Sequence, residues 1–272
     1  MSNCACPRHH PNRPCPDTGS RGEKIALAPP LYALTGRLIC TDMAEMLLAL
    51  DLLPDHIAAS RAEPGCLRFD IVQSDAPLIW HLTELFADEA AFAAHQARSR
   101  NSRWGRDSAA LRRDFSAGDS LAVLRPETRR DIDGIAALNQ MAFGGTDEAD
   151  LVARLRAEGD LPLSLVAESG GVILGHVALS PLRAAGPAMA LAPLAVHPAV
   201  QGRGIGAALV RAALDAFGDH SVVVLGDPAY YRRFGFAPAD LQSPYAGPHL
   251  QIVGPPLPQG SIIRHAPAFA AL

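Results

Sequence analysis

The chain has 272 residues, 49% of them hydrophobic and 19% charged, with a net charge of −4 and five cysteines. That length supports two domains, each with a core of its own. The acidic balance offers no basic face to nucleic acid, no apolar run reaches the ~18 residues needed to span a membrane, and an odd cysteine count without framework spacing suits a reducing cytoplasm. Residues 1–30 are rich in Pro, Arg, Asn and Ser, show no apolar periodicity, and read as a disordered tail. Cys4, Cys6, His9, His10 and Cys15 fall there, but Cys-x-Cys is tighter than zinc-module spacing, so no metal is expected.

Residues 32–40 alternate in polarity and predict a strand. Residues 43–61 predict a helix with Met43, Met46, Leu47, Leu50, Leu53 and Ile57 on its apolar side and a kink at Pro54. Glu63-Pro64-Gly65 is a turn, residues 66–74 and 78–86 are strands, and residues 88–100 are a helix capped by Asp88. This β-α-β-β-α order is the ferredoxin-like plan if a closing strand lies near residues 114–116, after a helical-looking stretch at 104–113. Residues 116–120 read as a polar linker, which sets the first domain at 31–115 and the second at 121–272.

The phrases Glu63-Pro64-Gly65-Cys66-Leu67-x-Phe69 and Glu84-x-Phe86-x-Asp88-Glu89-x-Ala91-Phe92-x-x-His95, with His56, resemble the antibiotic-biosynthesis monooxygenase (ABM) family of small dimeric α+β barrels. The resemblance implies a pocket faced by His95, with His56, Trp80, Asn101 and Trp104 as lining. It also implies a homodimer in which two apolar sheet faces meet. Some members oxidise phenols or quinols with O2 and no cofactor. The alternative is that Trp80 and Trp104 are core or interface residues, His95 orients a helix, and the domain dimerises or senses a ligand.

In the second domain, residues 121–125 predict a strand, 132–143 and 148–157 helices, and 163–168 and 172–179 strands joined by the hairpin dipeptide Gly170-Gly171. Residues 188–196 form a further strand, with Pro193 inside it, where a residue lacking N–H marks an edge or bulge. The loop Gln201-Gly202-Arg203-Gly204-Ile205-Gly206-Ala207 then opens an apolar-periodic helix, whose unpaired N–H groups are a seat for a diphosphate. Gly202-x-Gly204-x-x-Ala207 formally fits a dinucleotide fingerprint, but residues 197–201 separate it from the strand, and too little chain follows for a doubly wound sheet. The run Val222-Val223-Val224-Leu225 is a buried strand, followed by Asp227-Pro228 as cap and first turn of a short helix ending at Gly235.

The phrase Val196-x-Pro198-x-x-Gln201-Gly202-x-Gly204-x-Gly206, with Tyr231 three residues ahead of Gly235-Phe236, resembles the acetyl-CoA loop and tyrosine of the GNAT N-acetyltransferases. The resemblance covers residues 120–272 and implies an α+β chain whose second half is a GNAT-type mixed sheet flanked by helices. It implies acetyl-CoA as co-substrate, with no metal or flavin, held by Leu194, Ala195, Val196 and the loop Gln201, Gly202, Arg203, Gly204, Ile205, Gly206 and Ala207. Tyr231 would be the general acid for the leaving thiolate, with Glu168 and His176 the nearest candidate bases and a water chain as the alternative. The Pro/Gly-rich stretch 237–260, with Tyr245 and His249, would shape the acceptor side. Three functions stand open: an amine acetyltransferase, a cofactor-independent oxygenase acting through the first domain, and a non-catalytic acetyl-CoA-binding regulator.

Overall fold

A computed structural model describes residues 22–271, and the Cys/His-bearing part of the tail lies outside them. The described chain begins with a short strand, β1 (Glu23–Ile25), which pairs antiparallel with β6 (Ala122–Pro126) of the second half. Residues 23–25 therefore belong to a sheet, where the sequence suggested a disordered tail. Backbone pairing with β6 and burial of the single side chain Ile25 recruit them, and three residues are too few to display an apolar period.

The first half is a four-stranded antiparallel sheet in the order β3-β4-β2-β5. Its strands are β2 (Leu31–Ile39), β3 (Cys66–Gln73), β4 (Ile79–Phe86) and β5 (Arg112–Ser120). Helices α1 (Met43–Arg61), α2 (Glu89–Asn101) and α3 (Arg103–Asp107) complete it. Asp42 and Asp88 cap α1 and α2 by accepting from Glu45 N and Ala91 N. The buried positions of α1 are Ala49, Leu52, Leu53, His56 and Ser60, while Met43, Leu47 and Leu50 are exposed. The apolar stripe expected from the sequence is thus rotated, because small and polar residues fill part of the buried face.

The expected linker is instead part of β5, which pairs with β2 along its whole length, from Leu31 opposite Ser120 to Ile39 opposite Arg112. Its side chains are mostly exposed, so hydrogen bonding and not burial holds it. The sheet face away from the helices carries Thr35, Arg37, His81, Thr83 and Asp70, with Arg37 ion-paired to Asp114 at 2.5 Å. That surface also carries Ile39, Ile79 and the exposed Val72, so it is mixed, where the expected face-to-face pairing called for an apolar sheet surface.

The second half is an eight-stranded sheet in the order β1-β6-β7-β8-β9-β10-β13-β11. It contains α4 (Ile132–Phe143), α5 (Asp147–Glu158), β7 (Leu163–Ser169), β8 (Val172–Pro181), β9 (Ala188–Val196) and α6 (Ile205–Ala216). These are followed by β10 (Ser221–Leu225), α7 (Pro228–Tyr231), β11 (Ala237–Pro238), β12 (Leu241–Gln242), β13 (Leu250–Val253) and β14 (Ser261–Ile262), with β12 and β14 paired separately. β9 and β10 are parallel, so a crossover is required, and α6 supplies it. α6 buries Ile205, Leu209, Val210 and Ala213 against the sheet, each large side chain contributing about 1.5–3 kcal/mol relative to exposure. The two halves share a core, since Leu31, Leu85 and Ala87 pack in one cluster with Ile25, Ala122, Leu124 and Leu165. Among the described residues no helix is long and apolar enough to cross a membrane.

Candidate active site

The site begins where β9 leaves β10. The two pair only from Ala188 opposite Ser221 to Leu191 opposite Val224, and a bulge follows, with Ala192 and Pro193 placed between the registers Leu179–Leu191 and Val177–Leu194. Beyond the bulge β9 stays paired with β8 and has no partner on its other side among the described residues. His197 N donates to Leu174 O on the β8 side. Successive amides of a strand point to opposite edges, so the N–H groups of Leu194 and Val196 face the open gap. The Gln201 amide fills part of that gap by donating to Val196 O at 3.1 Å.

The glycine loop closes over this edge. Gly202 and Gly204 have φ of 75° and 93°, a left-handed region that other residues enter at a cost. Gly204 is the N-cap of α6 and carries no side chain to satisfy the first helical amides. A cavity of about 460 Å³ lies against them, lined by Leu194, Val196, Gln201, Gly202, Gly204, Ile205, Gly206, Ala207, Tyr230 and Arg233. A Cβ on Gly206 would stand 2.6 Å from the Tyr230 hydroxyl, so α6 and that ring approach closely.

Eight of the ten residues expected to hold acetyl-CoA are therefore gathered here. Ala195 is not, because strand alternation sends it to the opposite face, into the cluster of Ile135 and Leu138. Arg203 is not either. Its guanidinium donates to Ala87 O at 2.6 Å, lies 3.3 Å from Asp88 and from Ala199 O, and so is committed to the first half of the chain. Tyr230 and Arg233 were missed as groove residues. Arg233 lies over the Tyr230 ring at 4.4 Å and is the cation that lines the groove.

A second cavity, of about 330 Å³, shares Leu194 with the first. It is lined by the bulge residues Ala192 and Pro193, by Tyr231, Glu148, Tyr245 and His265, and by apolar side chains including Leu151, Leu191 and Phe269. Tyr231 is buried, and a Cβ on Gly226 would strike its ring. Burial pushes the Tyr231 phenol well above its ordinary value. Tyr245, expected on the acceptor side, does line this cavity, whereas His249 is exposed with its Nδ1 3.3 Å from Gly226 O.

Neither expected base reaches the two cavities. His176 is fully buried, with Nε2 2.9 Å from Ser164 Oγ, which in turn bonds Glu127, itself paired bidentately with Arg156. Burial pushes its pKa down to about 4, so the ring is a neutral member of a structural network. Glu168 sits at the β7–β8 hairpin, accepting from Gly171 N at 2.5 Å, with Arg125 3.9 Å away.

The first half holds a cavity of about 250 Å³ that includes His56, His95 and Trp104 in its lining, together with Glu84, Leu82, Arg113 and Phe115. Trp80 is packed in the core instead, and the exposed Asn101 donates to Ala97 O at 3.0 Å. His95 Nδ1 is 3.0 Å from Glu63, which also holds Arg98. His56 stacks on Trp104 at 4.8 Å, and burial pushes it down to about 3. Glu84 was not foreseen as a pocket residue. Burial first, then the charge of Glu63, pushes its carboxyl up to about 8, and its Oε2 has no hydrogen-bond partner. Among the described residues no cluster of three or more His, Cys, Asp or Glu could hold a metal ion.

Residues 132–236 match the model of the acetyltransferase (GNAT) family, and residues 48–104 match that of the antibiotic biosynthesis monooxygenase family. The chain is 43% identical over 121 residues to the uncharacterized N-acetyltransferase YhbS of Escherichia coli, spanning 42% of this chain and 72% of that protein. It is 38% identical over 131 residues to YjhQ of Escherichia coli, another uncharacterized N-acetyltransferase, spanning 44% and 72%. The crystal structure of Escherichia coli YhbS in complex with CoA superposes with a TM-score of 0.51 at 35% identity, over 55% of this chain and 92% of that one. With β9 splayed at the bulge and a glycine loop opening α6 beside it, the chain belongs, through its C-terminal half, to the GNAT family of N-acetyltransferases.

Proposed function

We propose that this chain transfers the acetyl group of acetyl-CoA to a primary amine, by direct attack with both substrates bound. The observation that carries the reading is the open edge of β9 beside the uncapped start of α6, with two cavities meeting at Leu194. Acetyl-CoA is a substrate here and supplies a thioester-activated acetyl group. A glycine-lined helix start, with no Cβ to fill it at Gly202 and Gly204, fits a diphosphate, which would accept from the first amides of α6. Arg233 adds a charge to that groove, and the CoA found in the YhbS structure supports the same assignment.

The Leu194 and Val196 amides would receive the pantetheine arm and the acetyl oxygen, stabilising that oxygen as it gains charge. Tyr231 holds its proton at neutral pH, because burial raises its pKa. Its O–H donates to the sulfur as the C–S bond breaks, and the proton passes to the thiolate. Such a bond strengthens only as charge builds on sulfur, so it favours the transition state over the bound ground state.

Calorimetric titration with acetyl-CoA tests the reading first, followed by thiol release with an amine panel and mass spectrometry of the product. Micromolar binding and an acetylated amine are expected, and a chain indifferent to acetyl-CoA would remove the proposal. Binding without thiol release would identify a regulator. The buried His56 Nδ1 and Glu84 Oε2, neither engaged in a hydrogen bond and the latter 3.9 Å from His95 Nε2, support ligand binding by the first half. Oxygen uptake with a quinol tests whether that ligand is oxidised.

A further inference from the structure

The cavity on the far side of Leu194 has a composition that selects among amines. It combines an apolar wall of Leu151, Leu191, Pro193 and Phe269 with one carboxylate, Glu148. The exposed apolar side chains Phe143 and Leu225 also line it. Glu148 is half-buried on the first turn of α5, and neither a hydrogen bond nor an ion pair engages it among the described residues. Among the described residues neither arginine nor lysine lines the cavity. His265, which lines the cavity with Tyr231 and Tyr245, packs between Tyr245 and Phe269 with a buried Nδ1 that lacks a hydrogen-bond partner.

We infer that this cavity binds a small monoamine carried on an apolar or aromatic body, with Glu148 pairing the ammonium. The inference rests on the acetyltransferase reading. An α-amino acid or a phosphorylated amine would bring an anion that no cation here could meet, and a buried unpaired charge is strongly unfavourable. A polyamine or aminoglycoside would bring several ammonium groups to a single carboxylate. A volume of about 330 Å³ sits at the low end of the usual range for small-molecule sites, about 300–1,000 Å³. Apolar walls stabilise the body of the ligand by burying its surface.

Glu148 also completes the proton balance. The ammonium gives one proton to solvent by way of the Glu148 carboxylate, and the freed nitrogen lone pair forms the C–N bond to the acetyl carbon. The C–S bond breaks, sulfur takes the Tyr231 proton, and the second proton lost by nitrogen as the amide forms restores the phenol. One proton is released per acetyl group transferred.

The test uses the full chain and three probes: 2-phenylethylamine, spermidine and glycine, with thiol release as the readout and acetyl-CoA affinity measured separately by titration. The expected result is turnover of 2-phenylethylamine with at least tenfold higher kcat/KM than either of the others. Glu148→Gln is expected to raise the KM for 2-phenylethylamine 10- to 100-fold while leaving the acetyl-CoA Kd unchanged, which also reports an intact fold. In the wild-type protein 2-phenylethanol, the uncharged counterpart, should inhibit far more weakly than the amine binds, and Glu148→Gln should abolish that difference. Preference for spermidine or glycine, or a Glu148→Gln variant with an unchanged amine KM, would overturn the inference while acetyl-CoA binding stood. Loss of acetyl-CoA binding in the wild-type chain would overturn the acetyltransferase reading itself.

Discussion

Two adjacent tyrosines divide between two cavities, and their environments fix what each can do. Tyr230 lies against Gly206 in the cofactor groove under the Arg233 guanidinium, while Tyr231 is buried and lines the second cavity beside Leu194. Tyr231→Phe keeps the ring that packs on Phe236 and removes only the O–H. Steady-state kinetics should show kcat falling about 10- to 1,000-fold with acetyl-CoA KM near normal, the pattern for loss of a proton donor acting in the transition state. An unchanged kcat would take Tyr231 out of that role. A second residue-scale expectation concerns Glu84, whose folded pKa near 8 lies above its ordinary 4.5. The folded state then holds a proton that the unfolded chain has lost, so this group's contribution is present below 4.5 and fades as pH rises toward 8. His56, lowered from 6.5 to about 3, acts in the opposite sense below 6.5. The Glu84 slope should therefore stand alone between about pH 6.5 and 8, at no more than about 1.4 kcal/mol per pH unit. Denaturant melts across that window should show falling stability in wild type and a flatter profile in Glu84→Gln. The short cap-to-glycine segment that carries Tyr231 was legible from the sequence, while the tyrosine itself was singled out by the family resemblance. The fates of His176 and Glu168 were not legible, since a strand residue's chemistry depends on which face it takes and on the partners it meets there, Ser164 and Asn139 for His176 and the Gly171 amide of the hairpin turn for Glu168.

At the scale of elements, the loop-to-α6 junction is the part of the site that the sequence shows most completely. Glycine spacing, the Pro198 turn and the apolar period of α6 each report a local backbone requirement, and local requirements are what a sequence displays directly. What it hid was the contact between α6 and α7. A methyl group on Gly206 would meet the Tyr230 hydroxyl at 2.6 Å, but the ring carbon behind it only at 3.7 Å. Gly206→Ala alone should weaken acetyl-CoA binding by forcing Tyr230 aside, and Tyr230→Phe alone should change it little. The double variant should recover most of the lost affinity, giving a coupling that titration of all four proteins measures. Additive effects would mean that the helix start, and not the ring, is what the methyl disturbs. β5 teaches the complementary lesson. Its sequence Arg112-Arg113-Asp114-Phe115-Ser116-Ala117-Gly118-Asp119-Ser120 is polar because its side chains are mostly exposed, yet its pairing with β2 is continuous. Hydrophobic period cannot reveal a strand whose stability lies in its backbone bonds. β1 escaped notice because it is three residues long, with Ile25 alone reaching the core.

Across the whole molecule the two halves are built into each other. β1 extends the acetyltransferase sheet from ahead of the first domain, and Leu31 and Leu85, both nearly inaccessible, pack in the core of the second. Arg68 also donates to Gly170 O at the β7–β8 hairpin. Above all, Arg203 anchors the glycine loop to Ala87 O and Asp88, the residues that join β4 to α2. The boundary read from the sequence at residue 120 falls between the end of β5 and the start of β6, and it was blind to these contacts, because a composition shift carries no information about packing between domains. A chain of residues 121–272 alone would expose the surface that Leu31 and Leu85 cover, each worth about 1.5–3 kcal/mol when buried, and would free Arg203. It should melt well below the full-length protein and bind acetyl-CoA more weakly, as calorimetry and titration would show. In the intact chain Arg203→Met separates the two causes, since it leaves the apolar contact in place and removes the anchor. Stability should fall by about 1–3 kcal/mol, the usual penalty for leaving a buried carbonyl unpaired. Acetyl-CoA affinity should fall with it, while Asp88→Asn, which keeps the helix cap and the Ala87 carbonyl bond, should change both much less. If Arg203→Met bound acetyl-CoA as wild type does, the first half would be a passenger on the loop and its influence would run through the core alone.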